Sequence, residues 1–294
     1  MKKKKTASKR GYTGLIREYD RHVPSVKAAR TVIYVVCIVL ATVSLFPALW
    51  VMLASFKDIK EFIREPSILP GTYDFSKFVK TWNDFKFGNY YVNSFISVIG
   101  SAVCAVVFNG LTAYGLAVLK PKGHKVISAL ITWSLLIPAT ASIVPLFVNI
   151  NNLGLRGSFL PLWLAIGANA FYVVLFRQFF ENFPPSFVEA ARLDGCSDLK
   201  IFFKIILPMS KGIVAVVAIY AINAAWSDFL LPYLVLSGSG NETVMVRLFE
   251  FRTGTQTDVD VLRAIVFAIL PPIIMFLISS KKITESVMEG GIKE

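Results

Sequence analysis

Between Glu189 and Pro208 the chain reads EAARLDGCSDLKIFFKIILP, six charged residues set between long apolar runs. The groups able to act there are the Glu189 and Asp194 carboxylates and the Ser197 hydroxyl, beside a glycine, Gly195, that can reverse the chain. Their chemistry is capping and recognition rather than bond making. No GxxxxGK[ST] run is present to cradle nucleotide phosphates, so any ATP must be handled by another subunit. His22 and His124 fall in basic segments, far from any Ser or Cys that could serve as a nucleophile. Cys37 and Cys104 lie inside apolar runs and Cys196 inside the charged stretch, none with a metal-ligand partner. No catalytic residue, metal site or cofactor is expected in this chain.

The spacing predicts two helices joined by a sharp turn. Pro184 and Pro185 stop the preceding apolar run, and Ser186 stands three residues before Glu189 as in a capping box, which predicts a short helix over 187–194. Gly195 sits where a left-handed residue would end that helix, and Ser197 with Asp198 can cap a second one leading back to the apolar region. Beside Glu189, Ala190 and Ala191 offer a low, smooth surface.

The elements that must hold this unit are membrane spans. The 294 residues are 55% hydrophobic and only 17% charged, with a mean hydropathy of +0.60, too apolar for an ordinary soluble domain. A helix needs about 20 mostly apolar residues to cross a hydrocarbon layer of about 30 Å. Six runs meet that length: residues 31–56, 91–119, 126–150, 159–180, 213–236 and 261–279. The sequence therefore predicts an all-α, six-span membrane protein. A basic segment (1–30) precedes the first span (31–56), an outer loop covers 57–90, the core runs over 91–279 with a charged loop at 181–212, and a tail covers 280–294. The run from Thr31 is too long for a signal peptide and lacks its cleavage site, so it reads as a retained span.

Lysine and arginine set the orientation. With the amino terminus inside, the inner segments hold twenty-one of them and the outer segments nine, which places both termini in the cytoplasm of a cell-membrane protein. The net charge of +12 is largely juxtamembrane and suits anionic lipid headgroups of the bilayer, with no patch suited to nucleic acid. Pro138, Pro145, Pro232, Pro271 and Pro272 interrupt the spans, a defect tolerated where neighbouring helices or a water-filled cavity satisfy the backbone. Their number favours a transport pathway, although packing kinks remain an alternative.

EAA, three residues, Gly195, nine residues, Ile205, one residue, Leu207 and Pro208 resembles the cytoplasmic signature of permease subunits of binding-protein-dependent ABC importers. TAYGLAVLK before the first inner loop, IPATASIVPLF, NNLGL, FRQFFENFPPSFVEAARLDG, AAWSDFLLPYLVL and the GGIK near the end are similar to the carbohydrate-uptake branch, in particular the smaller partner of maltose-type pairs. Ser227 departs from the Asn common after that Trp, and Glu294 from a common final Gly. The resemblance implies a second permease, two ATPase subunits holding ATP and Mg²⁺, an extracytoplasmic solute-binding protein and a carbohydrate substrate. It also implies that Glu189, Ala190, Ala191, Asp194, Gly195 and Ser197 form the ATPase-coupling surface.

On a helical fifth span Asn223, Trp226 and Ser227 share a face, and a Trp beside amide and hydroxyl groups suits a sugar. Interhelical hydrogen bonding with Trp packing is the alternative, and Ala218, Ala221 and Ala225 form a face suited to close packing. An ion-coupled transporter would need intramembrane ionisable groups, and the spans offer essentially Asp228 and Arg263. Arg263, near the outer end of its span, is expected to snorkel to the interface, and Asp228, four residues before Pro232, to serve the backbone. A non-transport scaffold would leave the prolines unexplained.

Overall fold

The structure is a computed structural model that describes residues 24–64, 67–254 and 256–291. The basic segment up to residue 23, with His22, lies outside the described residues, as do the last three. Every regular element among the described residues is a helix.

The first span is α1 (Pro24–Ala54), whose apolar side chains stay exposed along its length, as on a helix set at the rim of a bundle in lipid. Two short helices follow, α2 (Ile59–Arg64) and α3 (Ser76–Phe85). Polar contacts stitch this outer segment together. Lys57 is buried and its ammonium donates to the Ser67 carbonyl and hydroxyl, Lys77 pairs with Asp58 at 2.9 Å, and the Gly71 amide donates to Glu61 Oε1 at 2.7 Å. Under it lies an aromatic cluster in which Phe85 stacks on Phe87 at 3.8 Å and Trp82, Phe87 and Phe78 surround Phe267.

The second span is one long helix, α4 (Phe87–Leu119), with π-helical turns at Ala105–Asn109 and Gly115–Leu119. The third does not run unbroken over 126–150. It divides into α5 (His124–Ser134) and α6 (Ile143–Asn152), joined by an irregular stretch and a 3₁₀ turn at Ala139–Ser142. Pro138 has no amide to donate and adopts φ −58°, ψ 129°, so the helical ladder stops there.

The fourth span is also broken, into α7 (Leu160–Gly167) and α8 (Ala170–Glu181), bent by 43°. A buried amide makes that break affordable to the backbone. Asn109, in the first π turn, donates to the carbonyls of Ala105 at 2.8 Å and Ile166 at 3.0 Å, and accepts from the Asn169 amide at 2.9 Å. Asn169 in turn caps α8, its side chain accepting from the Phe171 and Tyr172 amides at 3.0 and 3.2 Å. Polar groups freed at the bend thus find partners where no water competes.

The charged stretch forms α9 (Pro185–Leu193) and α10 (Asp198–Met209), the latter containing a π turn at Phe202–Ile206. The fifth span is α11 (Lys211–Ser227), interrupted at Asp228 before α12 (Leu230–Leu236). After α13 (Val244–Thr253), the last span is α14 (Asp258–Gly291), which continues through Pro271 and Pro272 without a break. Among the described residues three helices are long and apolar enough to cross a membrane uninterrupted, and up to five spans result if each bent pair is one. The six apolar runs are therefore six in sequence but not six straight helices.

Candidate functional site

The helix–turn–helix unit is built by its backbone. Pro185 occupies the first helical position with its φ already set, so α9 starts at Pro185 rather than at 187. Ser186 consequently lies within the first turn, and the capping box with Glu189 is not formed: Pro184 stands at the cap with no side-chain bond. The other end follows the expectation closely. Gly195 takes φ +74°, its amide donates to the Arg192 carbonyl at 3.0 Å and the Cys196 amide to the Ala191 carbonyl at 2.9 Å. That pair of bonds is the Schellman closure, which only a residue free to adopt positive φ completes without strain.

Ser197 has the extended geometry of a cap, φ −69° and ψ 154°, and its carbonyl receives the Ile201 amide at 2.9 Å, but its hydroxyl caps nothing. The two helices are tied instead by Arg192 and Asp198, 3.1 Å apart. Val188, Ala191, Ile201, Phe202 and Ile206 seat the unit in a core shared with Phe176, Phe180 and Val217. α10 meets α11 at 88°, so it lies across the direction of the fifth span.

Burial divides the predicted coupling residues. Glu189, Ala190, Asp194, Gly195 and Ser197 are exposed, whereas Ala191 is buried at 6% and belongs to the seat, not to the outer surface. Among the described residues neither the Glu189 nor the Asp194 carboxylate takes part in an ion pair. Beside them stand two residues the sequence reading passed over, Leu193 at 90% exposure and Phe187 at 44%. Leu193 is out of step with the inward positions Val188 and Ala191, and that phase is the signal that could have found it. Two free carboxylates around apolar side chains in water make a surface suited to a partner.

The proposed substrate face separates. Trp226 is buried, donates from Nε1 to the Ala268 carbonyl at 3.0 Å and packs against Tyr91 and Phe95 at 5.6 and 5.8 Å between ring centres. Asn223 and Ser227 are exposed on another side of α11. A 100° step per residue leaves i and i+3 60° apart, and here the interior takes the larger ring while the two polar side chains stay exposed. Ala221 and Ala225 are buried as expected for the close-packing face, with Ala218 half-buried. Asp228 ends α11 with ψ 129° and stands at the break immediately before α12, partly buried there.

Arg263 does not snorkel. It is 7% exposed, and its guanidinium donates to the carbonyls of Ser55 at 2.8 Å and Lys57 at 2.7 Å while pairing with Asp260 at 2.7 Å. The side chain clasps the end of α1 to α14. A cavity of about 480 Å³ opens beside Asn109, Thr112, Ser134 and Gly167, but the Asn109 amide and the Thr112 and Ser134 hydroxyls all bond to backbone carbonyls.

Comparison with known proteins places this geometry. The family described as "Binding-protein-dependent transport system inner membrane component" matches residues 107–282, which include α9 and α10 whole. The diacetylchitobiose uptake system permease protein NgcG of Streptomyces coelicolor is 28% identical over 93% of this chain and 90% of its own. The probable ABC transporter permease protein YurM of Bacillus subtilis is 30% identical over 84% and 83%, and the arabinooligosaccharides transport system permease protein AraQ of the same organism 28% over 93% and 99%. A chain from the crystal structure of a bacterial ABC transporter involved in the import of the acidic polysaccharide alginate superposes with a TM-score of 0.76, at 24% identity over 92% of this chain and 99% of that one. With α9–α10 and the spans that seat it inside the matched region, this chain belongs to the family of inner membrane components of binding-protein-dependent transport systems.

Proposed function

We propose that this chain is one permease half of an ATP-driven importer for an oligosaccharide or related carbohydrate, and that α9 with its turn is the coupling element docking on an ATPase. The single observation that carries the coupling role is the outward tip of α9: Glu189, Leu193 and Asp194 exposed and unpaired, on a turn fixed by the Gly195 closure and seated on the core beneath α11. A rigid tip on a helix crosswise to a span can pass a push from outside the bilayer into that span. The carbohydrate assignment draws on relatives whose names specify diacetylchitobiose and arabinooligosaccharides.

In this reading the apolar runs make six crossings, three of them bent or broken, with both termini and the 181–212 loop cytoplasmic. A second permease, two ATPase subunits with ATP and Mg²⁺, and an extracytoplasmic solute-binding protein complete the machine. Asn223 and Ser227 stay as the exposed polar candidates of the path, without Trp226. An ion-coupled mechanism loses one of its two candidate groups, since Arg263 is clasped to carbonyls.

The test is made on the assembled complex in liposomes. Glu189→Lys and Gly195→Val should leave the permeases inserted and paired while abolishing hydrolysis stimulated by liganded binding protein, and uptake with it. Gly195→Asn should retain most coupling, because Asn tolerates the left-handed region. Normal stimulated hydrolysis and uptake in both damaging variants would end the assignment.

A further inference from the structure

A second cleft, of about 790 Å³, opens where α4 ends, α5 begins and α8 passes behind them. Lys120, Lys125 and Arg177 line it, with Glu181, already held by Arg177 at 2.9 Å, as the carboxylate there. Cations therefore prevail. The backbone adds to them: Lys120 turns at φ +49° and Gly123 at +88°, so α5 begins at the cleft, and its first turn carries no acidic residue. Amides at such an end favour an anion.

What lies next to these cations decides the ligand. Along α5 the side chains of Val126, Leu130 and Trp133 are 64%, 56% and 65% exposed, an apolar ridge running away from the charged end. Free phosphate or an acidic sugar would answer the cations alone and make no use of the apolar ridge that continues from them along a membrane span. A phospholipid answers both, its phosphodiester among Lys120, Lys125 and Arg177 and its acyl chains along the ridge, with Trp133 on the lipid side. We propose that the cleft is a binding site for the headgroup of an anionic phospholipid. The inference needs only the membrane placement, so it stands or falls separately from the coupling and carbohydrate readings.

The complex is exchanged into nanodiscs of phosphatidylcholine with increasing phosphatidylglycerol, and retained lipid is counted by native mass spectrometry after release. Wild type should keep phosphatidylglycerol in preference to phosphatidylcholine. Lys120→Gln/Lys125→Gln should bind it roughly thirtyfold more weakly, about fivefold for each lysine, and Lys200→Gln/Lys204→Gln, which removes two cations elsewhere, should not. A photoreactive group at residue 133 should label lipid. Equal retention of both lipids by wild type, equal loss in the control variant, displacement by millimolar inorganic phosphate at constant lipid, or labelling of the second permease in place of lipid would each overturn the proposal. The wild-type comparison decides even if the double variant fails to assemble.

Discussion

At the scale of the residue, Arg263 is the instructive case. Its position near the end of an apolar run invites a solvent-seeking side chain, yet its partners are carbonyls some two hundred positions earlier, at Ser55 and Lys57. No local pattern in the chain announces them. Removing the guanidinium would leave two carbonyls without donors at the edge of the bilayer, at about 1–3 kcal/mol each. Arg263→Ala should therefore lower the thermal midpoint of the purified complex by several degrees and hasten proteolysis within 55–67, while Arg263→Lys recovers part of the loss. An unchanged midpoint and digestion pattern in the alanine variant would mean that the clasp contributes nothing. Trp226 gives the matching lesson in the other direction, since its neighbours on the helical wheel were legible but the side chosen by the interior was not. Trp226→Phe should cost about 1 kcal/mol through the lost bond to Ala268 and Trp226→Ala about 3–5 kcal/mol through the void, with substrate selectivity preserved in both.

At the scale of the element, the chain announces its helices better than its breaks. Apolar length alone located runs that the structure fills with helices, three of them unbroken among the described residues, and Pro138 marked the interruption of the third run. The bend between α7 and α8 has no proline, and its cause is an amide on another helix: Asn109 reaches the Ile166 carbonyl and the Asn169 amide together. The sequence carried one clue, Asn169 ahead of a helical run, in the position of a cap. Asn109→Ala strands groups on both sides of the bend and should cost about 1–3 kcal/mol. Asn169→Ala loses the cap alone and should cost about 0.5–2 kcal/mol. Because both act through the same few amides, the double variant should fall short of the summed losses. Additive losses in denaturant titrations would show that the two amides act independently. The π turns of α4 and α10 have no comparable sequence signal.

At the scale of the whole molecule, the exposed apolar length of α1 and the exposed, unpaired tip of α9 point in the same direction: each is a surface suited to a membrane or a partner rather than to water alone. Which side of the membrane each end faces is a property of charge, and charge is legible in sequence where helix bends are not. Twenty-one lysines and arginines lie in the segments assigned inside and nine in those assigned outside, a bias the insertion machinery reads in short loops. Under the same assignment α9 lies on the cytoplasmic side, where the proposed ATPase would dock, and the Arg263 clasp with the aromatic cluster around Phe267 lies on the other. A reporter active only in the cytoplasm should work when fused after Glu294 and fail after Gly240, a glycine at φ +82° in the turn between α12 and α13 where an insertion disturbs no helix. The fusion after Gly240 is the sharper of the two, because an even number of crossings alone would put the termini together on either side. Activity there would reverse the molecule in the membrane, move Glu189 and Leu193 away from any ATPase, and remove the coupling reading with them.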